Sequence, residues 1–330
     1  MSSFRDGGRF PDWTAAGLAI VLLVLPFVLH SPTMASELVV SAVGALSCSM
    51  LLGLAGLLSF GQGLYFGIGA YAAGLLLKTQ AVGTIPAFVA GAVLAALAAA
   101  VLGFPSVRRR GIYFVMLTLA FAQMGYFAVL AMPSVTGGEN GLPQVPTPPL
   151  LAGFGRLDNA TAVYAALAVT CFLVFLAAQR IAASPFGSVL RAIRENEERA
   201  DALGYNIRLF KIAAIALCGG IAGLAGAMQT TFLGFVPPNS IQLEMSERLL
   251  IMALIGGTGA PAGAFVGAAF YVILGDLLSA IWPRWMILIA VLLIGIVLFL
   301  RDGLWGGVTR VLAALRDRRA ARRGKEAARA

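Results

Sequence analysis

Charged residues are scarce in this sequence. Asp, Glu, Lys and Arg together make up 12% of its 330 residues, whereas 59% are hydrophobic. Soluble globular proteins carry about 25% charged residues, and a soluble domain of this length could not cover its surface with so few polar side chains. The composition therefore excludes a soluble protein and predicts an integral membrane protein.

Residues for metal binding and covalent catalysis are equally scarce. The chain has one histidine, His30, and three cysteines, Cys48, Cys171 and Cys218, all inside apolar runs and none in a CxxC pair. A disulfide framework, a zinc site and histidine-based catalysis therefore lack material. We predict no catalytic residue, no metal site and no cofactor bound by this chain. The cysteines are expected to be small packing residues.

The sequence also lacks its own source of energy for transport. No G-x-x-x-x-G-K-[ST] loop is present, which excludes nucleotide hydrolysis by that route. Ion-driven carriers usually keep ionisable groups at mid-membrane, but here charges such as Glu37, Arg248 and Asp276 fall near predicted span ends. Channel filters and carboxylate rings are missing too. These absences favour a pore-forming subunit driven by other proteins; the alternative from a different class is an autonomous carrier or channel.

Ten apolar runs are predicted to be membrane-spanning helices, which makes the fold class an all-α polytopic membrane protein. A hydrocarbon core needs roughly 20 apolar residues per helix. The eighth and ninth runs are unequal, and a re-entrant hairpin there would reduce the crossings to eight. The first run resembles a signal peptide but no cleavage site follows it, so we expect a retained span. The runs are 13–29, 37–58, 60–77, 84–104, 112–132, 160–181, 212–233, 248–255, 262–278 and 285–300.

Arginine and lysine placement orients these helices. Translocated short loops avoid basic residues, so cluster 108–110, loop 182–210 and the basic tail 305–330 are predicted to share the cytoplasmic side. Counting crossings then places both termini in the cytoplasm and loop 133–158 outside, with 1–304 as the transmembrane domain. The tail is expected to contact anionic membrane lipid; no basic-aromatic fold accompanies it that would indicate nucleic-acid binding.

The longest polar segment between apolar runs covers residues 184–206. Pro185 after a serine is a helix-start signal, and Gly204 suits a left-handed helix end. Between them, charged residues surround one apolar stripe. The predicted helix is either a docking element for a cytoplasmic partner or a solvated helix that contacts nothing. Its apolar stripe consists of Leu190, Ile193 and Leu203.

Two glycine-rich segments lie at corresponding places in the two halves of the chain. Interrupted helices at matched positions are common in transporters, so both segments are predicted to break helices. The alternative is ordinary close packing through small residues. The predicted break residues are Gly61, Gly63, Gly67, Gly69, Gly256, Gly257, Gly259 and Pro261.

A few polar side chains fall within apolar runs. An unpaired polar group there costs free energy, so each either lines a translocation path or forms a hydrogen bond with a neighbouring helix. The candidates for the path are Gln62, Tyr65, Tyr113, Thr118 and Gln123.

Five motifs in the correct order resemble the LivM-type permease of branched-chain amino acid ABC importers. The resemblance covers about residues 40–304. The motifs are 58–63 with 66–71, 110–124, 136–141, 184–187 continuing to 191–196, and 256–259 with Pro261 and Gly263.

This resemblance implies an ABC importer permease fold in a bacterial inner membrane. It implies a heterodimer with a LivH-type permease, two ATPase subunits of the LivG and LivF type that hold ATP and Mg, and a periplasmic binding protein. The implied cargo is a branched-chain or related hydrophobic amino acid; urea, short amides or aromatic acids are the alternative within the same class.

The resemblance also implies two contact sites. In the ATPase-coupling helix, Phe186, Leu190 and Ile193 would supply apolar contacts, and Arg191, Arg194 and Glu195 charge-assisted hydrogen bonds. The 136–141 segment would contact the binding protein, or is a plain turn. The coupling set is Ser184, Pro185, Phe186, Gly187, Leu190, Arg191, Ile193, Arg194, Glu195, Asn196 and Gly204. The binding-protein set is Thr136, Gly137, Gly138, Asn140 and Gly141.

Overall fold

The structure, a computed structural model, describes residues 12–29, 31–79, 82–146, 159–258, 260–281, 284–299 and 303–307. These residues form thirteen named α-helices, two short 3₁₀ turns and one isolated β-bridge. The helices are α1 Asp12–Val28, α2 Pro32–Ala55, α3 Gln62–Lys78, α4 Thr84–Ser106, α5 Ile112–Leu130, α6 Pro133–Thr136, α7 Ala160–Ala183, α8 Pro185–Glu195, α9 Glu197–Ala202, α10 Ile207–Leu233, α11 Leu243–Gly256, α12 Pro261–Ile281 and α13 Trp285–Phe299.

The fold is an all-α polytopic one, as predicted. Within the described residues, six helices are long and apolar enough to cross a membrane: α2, α4, α5, α7, α10 and α12. The other four predicted runs correspond to shorter helices, with 17 residues in α1 and α3, 14 in α11 and 15 in α13. Each predicted run thus has its own helix, and ten crossings stay a prediction.

Helix α2 lies at the centre of the fold. Its apolar window is 94% buried, whereas that of α5 is 17% buried, so α2 is an interior helix and α5 a peripheral one. Small residues such as Ala42, Gly44 and Ser47 allow α3, α7, α10, α11 and α12 to pack around it. The aliphatic side chains of Val89, Val93 and others on α4 remain exposed, as expected for a face in contact with lipid tails.

Glycines allow α3 and α10 to pack backbone against backbone. A Cβ atom at Gly69 would clash with the backbone of Gly223, and one at Gly223 would clash with the Cβ of Ala95 on α4, so neither position accommodates a side chain. Helix α3 runs without interruption through Gly63, Gly67 and Gly69. The prediction that these three residues break a helix is therefore wrong, because each is a packing position inside it.

The interruptions themselves lie beside the predicted glycines. Helix α2 ends at Ala55, and a six-residue connection leads through Gly61 into α3. In the second segment, α11 ends at Gly256, Gly257 has a φ of 99°, and α12 begins at Pro261. Gly259 lies outside the described residues.

Several contacts bring the predicted cytoplasmic segments to one end of the bundle. Arg110 forms an ion pair with Glu197, so cluster 108–110 and loop 182–210 lie on the same side, as predicted. Thr258 lies against Gly53 of α2, and Gly303 lies against Gly257, so the chain returns to this end after α13. Residues 1–11 and 308–330, which include most of the basic tail, fall outside the described residues.

We expect Gly69→Ala to destabilise the fold by about 1–3 kcal/mol, because the added methyl group overpacks the contact with Gly223. Thermal unfolding of the detergent-solubilised protein measures the effect. Gly17→Ala is the matched control, since nothing lies within 4 Å of a Cβ at that position of α1. Equal stability of the two variants would contradict this packing.

Candidate functional site

The 184–204 segment is the most polar part of the described chain, and it contains two helices. Ser184 caps α8, its Oγ accepting a hydrogen bond from the Gly187 N–H at 3.3 Å. Asn196 then starts α9, its Oδ1 accepting from the Arg199 N–H at 2.9 Å. The prediction of one continuous helix is wrong, because the Asn196 cap begins a second one. Gly204, with a φ of 87°, has the predicted left-handed conformation.

The apolar side of α8 packs on the chain's own spanning helices. Leu190 and Ile193 are each 1% exposed, and Gly187 is buried as well. Phe186 stacks on Phe210 of α10 with ring centroids 5.8 Å apart. The expectation that Leu190 and Ile193 contact an ATPase is therefore wrong: the amphipathic helix buries this side within its own subunit.

Two arginines of α8 attach the segment to the spanning helices. Arg194 Nη1 donates to the Gly53 carbonyl at 2.5 Å, near the end of α2. Arg191 Nη1 donates to the Ala182 carbonyl of α7 at 2.8 Å. Both guanidinium groups thus form hydrogen bonds within their own subunit, and these bonds fix α8 to α2 and α7.

The outer surface of the segment is free within the described chain. Pro185, Ser188, Ala192 and Glu195 point away from the bundle on α8. Two apolar side chains are also exposed further along the chain: Leu203, directly after α9, is 71% exposed, and Leu209, in the first turn of α10, is 63% exposed. The apolar ATPase contacts were expected on the Leu190 side of α8, whereas helical periodicity places Ser188, Ala192 and Glu195 on the opposite side. Of these three residues, the predicted coupling set contained only Glu195.

A cavity of about 600 Å³ separates α8 from the start of α5. Apolar walls come from Leu52 and Leu58 on one side and Phe114 and Val115 on the other. Its charged lining residues are Arg109, Arg110, Arg194, Lys211, Glu195 and Glu197.

Glu197 is a contact residue that the sequence did not indicate. Its carboxylate forms ion pairs with Arg110 Nε at 3.1 Å and with the Lys211 ammonium. The three residues belong to different elements, and no motif spacing relates them. Ser246 of α11 was not predicted either, because no motif links it to the residues that it contacts. Its Oγ donates to the Phe60 carbonyl at 2.6 Å and accepts from the Gly63 N–H at 2.8 Å.

The predicted path residues divide into two groups. Gln62 is the first residue of α3, and Thr118 of α5 reaches the same region, where its Oγ1 accepts from the Phe60 N–H at 3.3 Å. Gln62 Oε1 accepts from Ser47 at 3.3 Å, and its buried Nε2 has no partner in the described chain. The second group has three members. Tyr65 is buried one turn further along α3, beside Gly61 and Gly219. On α5, Tyr113 is 68% exposed and Gln123 is half-buried.

The predicted binding-protein contact is mostly a buried turn. Thr136 Oγ1 donates to carbonyls at the end of α5, and the Gly138 N–H donates to it at 3.3 Å. A Cβ at Gly141, whose φ is 69°, would clash with the Val236 backbone. Gly137 is partly exposed, Gly138 and Gly141 are buried, and Asn140 is exposed. The loop is paired to the end of α10 through the bridge between Leu142 and Val236.

Comparison with known proteins identifies the family. The family model described as "Branched-chain amino acid transport system / permease component" matches residues 33–300. The chain belongs to this permease family. It is a LivM-type, multi-pass inner-membrane permease of the ABC importer class, and so a transport subunit. Family membership implies further permease, ATPase and binding-protein subunits.

Individual relatives give the same result. The high-affinity branched-chain amino acid permease protein LivM of Escherichia coli is 26% identical over 310 residues, covering 87% of this chain and 73% of the relative. A probable LivM of Methanocaldococcus jannaschii is 28% identical over 270 residues, or 71% and 77%. The autoinducer 2 import permease LsrC of Salmonella choleraesuis is 31% identical over 138 residues, or 39% and 40%. No solved structure matches significantly.

Cysteine labelling tests which side of α8 is exposed. In the purified chain we expect a polar maleimide to modify Ala192→Cys rapidly and Ile193→Cys slowly, because Ala192 is exposed and Ile193 is buried. The native cysteines Cys48, Cys171 and Cys218 are buried and should give little background. Faster labelling at position 193 than at 192 would contradict the observed orientation.

Proposed function

We propose that this chain forms, with a LivH-type permease, the translocation path for branched-chain or related hydrophobic amino acids in an ATP-driven importer. The observation that carries the proposal is the 184–204 segment, whose inner side is fixed to the spanning helices while its outer surface is free within the described chain. A helix fixed in this way moves together with the helices that hold it. That is the property required of a contact point for an external motor.

The ATPase subunits would bind the outer surface of the segment. Exposed Ser188, Ala192 and Glu195 offer small and polar contacts, and exposed Leu203 and Leu209 offer apolar area further along the chain. Interfaces of standard composition combine an apolar centre with a polar rim. ATP and Mg would be held by these partners, which we expect to be of the LivG and LivF type.

The mechanism is alternating access. Nucleotide binding to the ATPases favours one of two conformations of the permease pair, and hydrolysis favours the other. Arg194 would pass the displacement to α2 through its hydrogen bond to Gly53. This chain contributes no covalent step.

The second permease would contact the exposed face of α5. This face carries Tyr113, Met116, Met124 and Phe127, each more than half exposed, whereas the exposed face of α4 is dominated by aliphatic side chains. Aromatic and methionine side chains are typical of protein interfaces. The path would then run along α5, with Thr118 and Gln62 close behind it; Tyr65, Tyr113 and Gln123 remain candidates.

The binding protein would approach the opposite end of the bundle. There Asn140 is exposed beside Gly137, while Thr136, Gly138 and Gly141 shape the turn that presents it. Selectivity would reside largely in that separate protein. Urea, short amides and aromatic acids remain the alternative cargo, and an autonomous carrier or channel is the alternative from a different class.

Reconstitution separates these functions. In proteoliposomes that contain the complete assembly, we expect uptake of radiolabelled L-leucine only with ATP and the binding protein. The chain alone, supplied with a proton or sodium gradient and no ATP, should show no uptake. Uptake by the chain alone would support the autonomous carrier and overturn the importer proposal.

Attachment of the ATPases can be tested on the outer surface of α8. We expect Ala192→Arg to reduce co-purification of the ATPase subunits about tenfold or more, because a bulky cation at the centre of an interface costs as much as loss of a strong contact residue. Ala160→Arg, at an exposed alanine in the first turn of α7, on the opposite end of the bundle, is the control. Equal retention of ATPase by both variants would contradict this docking surface.

A further inference from the structure

Glu197 connects three parts of the chain through its carboxylate. It is the first residue of α9, directly after the Asn196 cap. One carboxylate oxygen pairs with the ammonium of Lys211, on the first turns of α10. The other pairs with Arg110, two residues before α5 begins. A single carboxylate therefore bridges the 184–204 segment, α10 and α5.

The two ion pairs of Glu197 differ in exposure. The Lys211 side chain is 6% exposed and Glu197 25%, whereas the Arg110 side chain is 71% exposed. An exposed ion pair is screened by water and salt and contributes little to stability. Separating a buried ammonium from its carboxylate is far more costly. The Lys211 pair is thus the permanent one, and the Arg110 pair is easily broken.

The surroundings leave Arg110 room to move. The 600 Å³ cavity lies between α8 and the start of α5, and both partners of the Arg110–Glu197 pair line it. Gly111, between Arg110 and α5, has a φ of 60°, and a Cβ atom added there would have no neighbour within 4 Å among the described residues. A free glycine of this kind can change its backbone dihedral angles at little cost.

We propose that Glu197 is a positioning residue that stays bound to Lys211 and holds Arg110 in only one of the two transport conformations. Motion of the 184–204 segment, driven by the ATPases, would make and break this contact and so set the position of α5. The inference rests on the proposed function, since it needs an attached motor. It adds a second route from the segment into the membrane, besides that from Arg194 to α2.

The decisive comparison is between neighbouring arginines. In the reconstituted importer, we expect Arg110→Gln to lower leucine transported per ATP hydrolysed about two- to fivefold, the range that corresponds to removing an exposed ion pair from one of two states. Arg110→Lys should retain coupling. Arg109→Gln is the matched control: the same charge change, in the same loop and cavity, without an ion pair to Glu197. Equal coupling in Arg110→Gln and Arg109→Gln would overturn the proposal.

A second experiment separates this role from a purely structural one. Glu197→Gln alone leaves Lys211 buried without its carboxylate and is expected to fold poorly, but Glu197→Gln with Lys211→Met removes both buried charges and should fold. We expect this double variant to transport as little leucine per ATP as Arg110→Gln does. Adding Arg110→Gln to the double variant should lower the transport per ATP no further. Full coupling in a folded double variant would overturn the proposal.

Failure of the two proposals would look different. If the proposed function is wrong, the wild-type assembly shows no ATP-driven uptake at all. If only the role of Glu197 is wrong, the wild type transports leucine and all the arginine variants remain coupled. Raising the salt concentration adds an independent measurement: it should lower coupling in the wild type and in Arg109→Gln, but change it little in Arg110→Gln.

Discussion

Burial of Leu190 and Ile193 against the spanning helices is the contact on which the rest of the architecture depends. It turns a short polar connection into part of the membrane domain. With that side of α8 fixed, Arg194 and Arg191 reach carbonyls on α2 and α7, and Glu197 reaches α5 and α10. Without it, the segment would be a solvated loop, and force applied to it would be lost in bending.

The polar groups inside the bundle follow from the interruption between α2 and α3. A helix that starts inside the fold leaves its first N–H groups without intrahelical partners, the connection before it leaves backbone carbonyls unpaired, and lipid offers no partner for either. Ser246 and Thr118 supply them, one from α11 and the other from α5. These side chains come from distant parts of the sequence, so the start of α3 depends on both helices being in place.

The sequence predicts where the helices lie along the chain better than it predicts how they are oriented and packed. Hydrophobic runs locate the helices well, because a lipid environment demands long apolar segments. The orientation of α8 is not predictable in the same way, because an amphipathic helix can turn its apolar side to its own bundle or to a partner. The spacing of Leu190 and Ile193 is the same in both cases. The break at Asn196 is visible only as a capping residue, and Gly69 fits a break and a packing position equally.

One helix, α10, connects the turn around Gly141 with the Glu197 charge cluster at the other end of the bundle. Helix α10 has 27 residues and is therefore about 40 Å long. At one end, residues just beyond it pair with the turn through Leu142 and Val236; near the other end, Lys211 holds Glu197. Helix α10 thus connects the two ends of the bundle and is long and apolar enough to cross a bilayer. If the partners dock as proposed, a displacement of the turn by the binding protein would reach the Lys211–Glu197 pair along the axis of α10, without passing through the proposed cargo path.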